Sequence, residues 1–349
     1  MNRGGFMTRS RDQVQPPDAR REAGPLNVLV AIFSDTAAWT IPAARVDDLR
    51  RRFPGVRFLH AENEEAMARL IPTAEVAFTS RLTERAFGGA PALRWVHSPA
   101  AGVGSMLFPA MAASRVVLSN SRGMNAVAVA EHALMLVLAA LRRLPEAVRA
   151  QSDRRWIAND LSGLPSLRGR GLLIAGLGAI GRELARMASG LGMRVIGTRR
   201  ETGEPLPEGV TQAFSPSALQ GLLPAADIVV LAAPLTAETR GMIGAAEFAL
   251  MKSTAWLVNV ARGKLVDERA LISALERGAI AGAALDVFEH EPLSPASPLW
   301  SMPNVIVTPH VAGFRDDYWE AATELFAANL CRYLAGEAVA NTVDKRAGY

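Results

Sequence analysis

Three side chains in the C-terminal half carry complementary chemistry: Arg262, Glu291 and His310. A guanidinium stays charged and presents a fork of N–H donors that matches a carboxylate. An imidazole titrates near neutral pH, so it can exchange a proton with a substrate oxygen. A carboxylate beside that imidazole fixes the ring and favours its charged form. Each residue taken alone has a plainer reading: a surface arginine, a solvated glutamate, a structural histidine. Their placement sets them apart. Arg262 follows an apolar run ending at Val260-Ala261, Glu291 lies four residues past Val287, and His310 follows Val305–Thr308 and Pro309. The carboxyl ends of parallel strands share one edge, and ligands bind in the crevice outside it. His60, His97, His132 and His290 are read as structural; His290 neighbours Glu291 but falls in a loop and not directly after a strand.

A second constellation precedes these residues. Gly176-Leu177-Gly178-Ala179-Ile180-Gly181 matches G-x-G-x-x-G, with an apolar strand over Gly171–Ala175 before it and an amphipathic helix over Arg182–Leu191 after it. In that context Gly176 permits a tight turn, Gly178 lets the backbone approach a pyrophosphate, and Gly181 lets helix and strand pack closely. The helix start, with Ala179 and Ile180, offers free N–H groups to phosphates. An acid at the end of the next strand would bind the ribose hydroxyl of NAD, whereas arginine accommodates the extra phosphate of NADP. Here that strand ends Thr198-Arg199-Arg200, and no acid appears until Glu201. The sequence therefore favours NADP(H), with NAD(H) still open.

The elements that must position these residues alternate along the chain, which implies α/β architecture with parallel sheets. A first block carries strands over Asn27–Phe33, Val56–His60, Glu75–Ser80, Arg94–His97 and Val116–Ser119. A second carries Gly171–Ala175, Arg194–Thr198, Asp227–Ala233, Ala255–Val260, Gly282–Val287 and Val305–Thr308. Ser215-Pro216 reads as an N-cap followed by proline at the first helical position, and Asp267 as the cap of a helix ending before Gly278. A helix over Asn125–Leu141 opens the second block, and Asp317–Leu334 forms a last helix.

The chain has 349 residues, which suggests two domains. Half the residues are hydrophobic, so a substantial core is expected. The net charge of +4 is spread without a dense basic tract, which argues against nucleic-acid binding. Residues 1–24 read as a polar, disordered tail without the apolar segment of a secretory signal. The longest apolar run, Ala126–Leu141, carries Glu131 and His132 and is short for a membrane span. Cys331 is the single cysteine, so no intrachain disulfide forms and a reducing, cytoplasmic setting fits. Cys331 is expected to be buried packing in the last helix.

The ordered motifs resemble the D-isomer-specific 2-hydroxyacid dehydrogenases. They are Ser98–Val103, Val129-Ala130-Glu131-His132-Ala133-Leu134, Gly176–Gly181, Pro234-Leu235-Thr236 with Glu238-Thr239-Arg240, Asn259–Gly263, Ala284–Phe288 with Glu291-Pro292, and Thr308-Pro309-His310 with Ala312-Gly313. The likeness runs from about Leu26 to the C-terminus. It implies two doubly wound parallel-sheet domains: a flavodoxin-like substrate domain over 25–121, a Rossmann-type cofactor domain over 122–313 inserted into it, and a C-terminal helix over 314–349 returning to the first. It implies Arg262 on the substrate's carboxylate and carbonyl, His310 as acid and base, and Glu291 paired with His310. Asp286 would hold the nicotinamide carboxamide, with Ala233, Pro234, Val260 and Ala261 also at the cofactor. Backbone groups of Ala101, Gly102 and Val103 would grip the substrate carboxylate. The substrate would be a small 2-oxo or 2-hydroxy acid, no metal is implied, and a homodimer through the Asn125–Leu141 region is expected. Gly104 stands where the family often has Asp, and Arg199 replaces the usual acid. Relatives that reduce glyoxylate and hydroxypyruvate with NADPH often carry basic residues there. Formate dehydrogenases have Gln where this chain has Glu291, which argues against formate oxidation. Nucleotide-sensing corepressors and dehydrogenases of other small anions such as phosphite share the likeness and stay open as alternatives.

Overall fold

A computed structural model describes residues 24–348. The tail expected over residues 1–24 lies outside them, Gly24 excepted. The chain divides into two compact units, one of residues up to Ser121 together with Trp319–Arg346, the other Arg122–Tyr318 with the residues from Ala347.

The first unit is built on β1 (Leu26–Ala31), α1 (Ala43–Arg52), β2 (Val56–His60), α2 (Glu64–Leu70), β3 (Val76–Thr79), α3 (Glu84–Gly88), β4 (Trp95–Ser98), α4 (Pro109–Ala113) and β5 (Val117–Asn120). Its sheet has the order β2-β1-β3-β4-β5 with every pair parallel, the flavodoxin-like order. β3 and β4 are buried along their whole length because both faces of a parallel sheet are covered. One face is closed by the last helix: Phe326 stacks on Phe78, with ring centroids 4.3 Å apart and planes at 1°, and on Trp95 at 5.4 Å.

The second unit runs α5 (Ala126–Leu141), α6 (Leu144–Ser152), β6 (Gly171–Ala175), α7 (Ala179–Gly190), β7 (Arg194–Thr198), β8 (Val210–Phe214), α8 (Leu219–Leu222), β9 (Ile228–Leu231), α9 (Ala245–Leu250), β10 (Trp256–Asn259), α10 (Glu268–Glu276), β11 (Gly282–Leu285) and β12 (Val305–Val307); α11 (Tyr318–Leu334) then returns to the first unit. Its parallel sheet has the order β12-β11-β10-β9-β6-β7-β8, a doubly wound sheet whose order reverses between β6 and β9. Eight residues of α5 are buried, and six of them, among them Leu136 and Val137, share a core with α7 and with β6, β9 and β10. Among the described residues no helix is long and apolar enough to cross a membrane.

Several expectations change. β8 has no counterpart in the sequence reading. α7 begins at Ala179 and not Arg182, because the last residues of the glycine turn are already helical. Ser215 does stand at the N-cap position with Pro216 in the first turn, but the helix starts as a 3₁₀ turn over Pro216–Ala218 that runs into α8, and Ser215 makes no side-chain cap bond; its hydroxyl meets that of Ser217 at 3.0 Å. Asp267 does cap α10, accepting the Ala270 N–H, and Gly278 follows at φ +64°. Cys331 is exposed. The inward stripe of α11 is Ala322, Thr323, Phe326, Ala327, Asn329 and Leu330; one step further, Cys331 turns outward, about 100° round the helix.

Candidate active site

The glycine turn sits where the strand order reverses, the place at which doubly wound sheets bind ligands. Leu177 N–H donates to the Thr198 carbonyl at 2.8 Å, which ties the turn to β7. Gly176 has φ +113°, and a Cβ there would lie 2.7 Å from Ala233 N. A Cβ on Gly181 would lie 2.1 Å from the Gly176 carbonyl oxygen. Both glycines are thus required by the fold. Gly178 is different: nothing lies within 4 Å of its Cβ position, which opens on the N-terminus of α7. That open cradle at a twelve-residue helix start fits a pyrophosphate.

A cleft of about 750 Å³ runs from this turn, lined among others by Gly176, Gly178, Thr198, Arg199, Arg200, Ala233 and Pro234. Ala179, Ile180 and Gly181 form the first turn of α7 behind it. Val260 and Ala261 are buried in the turn that leads from β10 to Arg262. Arg199 is held more tightly than a surface arginine would be. Its side chain is 6% exposed, Nη1 donates to the Pro205 carbonyl at 3.1 Å, and Nη2 donates to the Glu204 carbonyl. Arg200 stays half-exposed and lies 3.4 Å from Glu238. Of the two neighbours, Arg200 has the more exposed side chain, 48% against 6%.

At the same sheet edge, beyond β10, β11 and β12, the three distant residues come together. His310 Nδ1 lies 2.6 Å from Glu291 Oε2. Glu291 Oε1 accepts the Phe288 N–H at 2.9 Å. Burial alone would push the Glu291 carboxyl up, but bonds from His310 and the Phe288 N–H and the charges of His310 and Arg262 outweigh it and hold it below the ordinary carboxylate range. Arg262 is drawn below the usual guanidinium value by burial, with Glu291 opposing. Its Nη1 donates to the Ala261 carbonyl at 2.6 Å. Asn259 closes the turn below it, donating Nδ2 to the Arg262 carbonyl at 3.0 Å and accepting the Ala261 N–H at 3.1 Å. A Cβ on Gly263 would fall 1.8 Å from the Phe288 carbonyl carbon, so the Arg262 turn and the Glu291 loop touch backbone to backbone.

His310 itself has φ +54°, a left-handed conformation that costs a non-glycine residue energy and needs outside support. Asp286 supplies it. Its carbonyl accepts the His310 N–H at 2.8 Å. Its side chain, fully buried, accepts from Thr308 Oγ1 at 2.6 Å and from the N–H groups of Val311 and Ala312 at 3.0 and 2.9 Å. Because the Thr308 hydroxyl proton goes to Asp286, the hydroxyl oxygen is an acceptor for His132 Nε2 at 3.0 Å. His132, read as structural, thus joins the support of the His310 loop. Asp286, expected at the cofactor, here braces that loop. Thr308, Asn259 and Gly263 lie within the motifs that carry the family resemblance, but their residue types alone assign them no role; each stands at or just past a strand end beside a chemically active residue.

In the first unit, the loop from Ser98 to Val103 is fixed from β5. Asn120 Nδ2 donates to the Ala101 carbonyl at 2.7 Å, and the Ser121 N–H to the Ala100 carbonyl at 3.2 Å. With the Ala101 carbonyl aimed at Asn120, the Gly102 N–H of the same trans peptide points the opposite way. His97 lies beneath, Nδ1 2.7 Å from Ser119 Oγ and Nε2 3.3 Å from Ser121 Oγ, and burial pushes its pKa down to about 3. It is a neutral packing histidine.

A sequence profile for the D-isomer-specific 2-hydroxyacid dehydrogenase NAD-binding domain matches residues 134–312. The glyoxylate reductase of Thermococcus gammatolerans is 36% identical over 316 residues, 87% of this chain and 94% of that protein. The chain belongs to the D-isomer-specific 2-hydroxyacid dehydrogenase family. Solved members superpose along most of its length. An NADPH-dependent glyoxylate/hydroxypyruvate reductase of Sinorhizobium meliloti, in complex with NADP and sulfate, has a TM-score of 0.80 at 28% identity and covers 93% of this chain and 100% of that one. A D-isomer-specific 2-hydroxyacid dehydrogenase from Xanthobacter autotrophicus Py2, in complex with NADPH and MES, gives 0.78 at 33%, covering 94% and 100%. As a dehydrogenase of this family the protein is an NAD(P)-dependent oxidoreductase.

Proposed function

We propose that this dehydrogenase reduces a small 2-oxo acid of the glyoxylate or hydroxypyruvate class to the D-2-hydroxy acid, using NADPH in preference to NADH. The observation that carries the reading is the 2.6 Å contact between His310 Nδ1 and Glu291, with Arg262 close enough to act on the same carboxylate. Glu291 occupies Nδ1, so Nε2 is the His310 atom left to exchange a proton. The bound reduced nicotinamide supplies the hydride to the carbonyl carbon. His310 Nε2 gives its proton to the carbonyl oxygen as charge develops there, and takes it back in the reverse reaction. The Arg262 guanidinium pairs with the substrate carboxylate and polarises the carbonyl. The N–H groups of the Ala101-Gly102-Val103 loop, whose direction Asn120 fixes within the first unit, are proposed as a carboxylate contact of that unit. Arg200, and Arg182 on the glycine-turn helix, support the preference for a 2′-phosphate through their charge in the cleft.

The experiment is a panel of 2-oxo acids assayed with NADPH and NADH at equal concentration. Turnover of glyoxylate or hydroxypyruvate with the higher kcat/KM on NADPH is expected. Failure of every 2-oxo acid would reject the reaction, and a large advantage for NADH would reject the cofactor preference.

A further inference from the structure

The outer end of the cleft holds more charge than the glycine-turn reading used. Arg182, Arg199, Arg200, Glu201, Glu204, Glu238 and Glu247 all line it, three positive groups against four negative. Glu204 has a particular place among them. Its Oε2 accepts from Arg182 Nη2 at 3.2 Å and lies 3.6 Å from Arg199 Nη1. One carboxylate oxygen is therefore set between a guanidinium of the glycine-turn helix and a guanidinium at the end of β7. Arg182 is itself aimed by its Nε, which donates to the Leu177 carbonyl at 3.2 Å. Arg199 is buried, and among the described residues its Nε has no hydrogen-bond partner. The Glu204 side chain is 52% exposed, so it has room to turn out into water.

The end of the second strand of such a sheet is where the 2′ position of the adenosine ribose is read. We propose that Glu204 is a built-in anion at that position and sets the ratio of NADPH to NADH use. A 2′-phosphate carries about −1.5 to −2 charges and three acceptor oxygens, so it can take both guanidiniums from a single carboxylate. It must first turn Glu204 out into water, and it then meets that carboxylate nearby. A dinucleotide without the phosphate leaves Glu204 in place, where its oxygens accept from the ribose hydroxyl as the usual strand-end acid would. The absence of an acid at Arg199 is thus partly made good from five residues further on.

This rests on the cleft being the dinucleotide site, and the test uses binding without turnover. Wild type, Glu204→Gln and Glu201→Gln are titrated calorimetrically with 2′,5′-ADP and with 5′-ADP. Removing a half-exposed carboxylate beside a phosphate should raise the preference for 2′,5′-ADP over 5′-ADP by about 3- to 10-fold in Glu204→Gln. An unchanged or lower ratio overturns the proposal. So does an equal rise in Glu201→Gln, because general charge reduction would then explain the effect. The wild-type ratio tests the NADPH preference separately: a wild type that favours 5′-ADP removes that preference, while a rise in Glu204→Gln still supports the role of Glu204.

Discussion

At the scale of single residues, His310 and Glu291 make the clearest predictions. His310→Asn removes the proton donor but keeps a polar side chain of similar reach. Turnover in both directions should fall on the order of 10²–10⁴-fold, the loss for a general acid–base group, while NADPH binding measured by fluorescence persists. A variant that keeps wild-type kcat would move the acid–base role elsewhere. Glu291→Gln should do less damage, because the His310 ring keeps a hydrogen-bond partner at Nδ1. Stability gives an independent readout. The Glu291 carboxyl is held below its ordinary value in the folded protein. A depressed folded-state pKa contributes stability above the unfolded value, and that contribution is lost as pH falls through the folded one. The Tm advantage of wild type over Glu291→Gln should thus be full at pH 7 and shrink in the acid range below about pH 4, the unperturbed carboxylate value. A constant advantage down to pH 3 would mean the carboxyl is not coupled to its partners. The identity of these residues was legible because each follows a strand-like run. Their surroundings were not. That Arg199 points into the Glu204–Pro205 carbonyls, or that His132 meets Thr308, depends on side-chain directions that no spacing encodes.

At the scale of elements, the glycine turn separates two demands that the motif merges. Gly181 is needed by the fold, since any Cβ meets the Gly176 carbonyl oxygen. Gly181→Ala should lose about 1–3 kcal/mol of stability, as overpacked sites do, and nucleotide binding with it. Gly178 faces open space. Gly178→Ala should cost no more than about 1 kcal/mol at this N-cap, yet weaken NADPH binding severely by filling the phosphate cradle. Thermal denaturation with and without NADPH distinguishes the two, and equal stability losses would reject the assignment. The same logic explains which strands could be read from sequence. β9 is an uninterrupted apolar run, and β3 is apolar up to Thr79; both are buried along their whole length, which is how interior parallel strands look. β8 is an edge strand with Thr211 and Gln212 exposed and only Val210 buried. It lacks both an apolar run and a clean alternation, so its sequence gave no strand signal.

At the scale of the whole molecule, apolar surface and the closing of the first unit make the remaining predictions. Val127 and Met135 of α5, Leu144 and Val148 of α6, and Trp156 beyond them are all exposed, Trp156 at 95%. Isolated exposed apolar residues are ordinary, but this many within one stretch fit an interface. We expect a homodimer through this region, seen by light scattering as twice the monomer mass. Trp156→Arg with Val148→Arg should shift the protein toward monomer; an unaltered dimer would place the interface elsewhere. The inner face of α11 gives the stability counterpart. Phe326→Ala removes a fully buried ring stacked on Phe78 and Trp95, and should cost about 3–5 kcal/mol by chemical denaturation. A loss below 1 kcal/mol would show that the first unit does not depend on the helix.

That dependence also sets an order of events during synthesis. Phe78 and Trp95 leave the ribosome early, but Phe326, which covers them, comes only after the second unit, Arg122–Tyr318, has been made. At about 5–20 residues per second, those roughly two hundred residues take on the order of ten to forty seconds. For that interval the nascent first unit has five strands and an uncovered aromatic face, while the second can finish its own core. The second unit is therefore the part that can mature during translation. The first must be kept from sticking to its neighbours until the last helix emerges, which makes it the segment on which a chaperone would act.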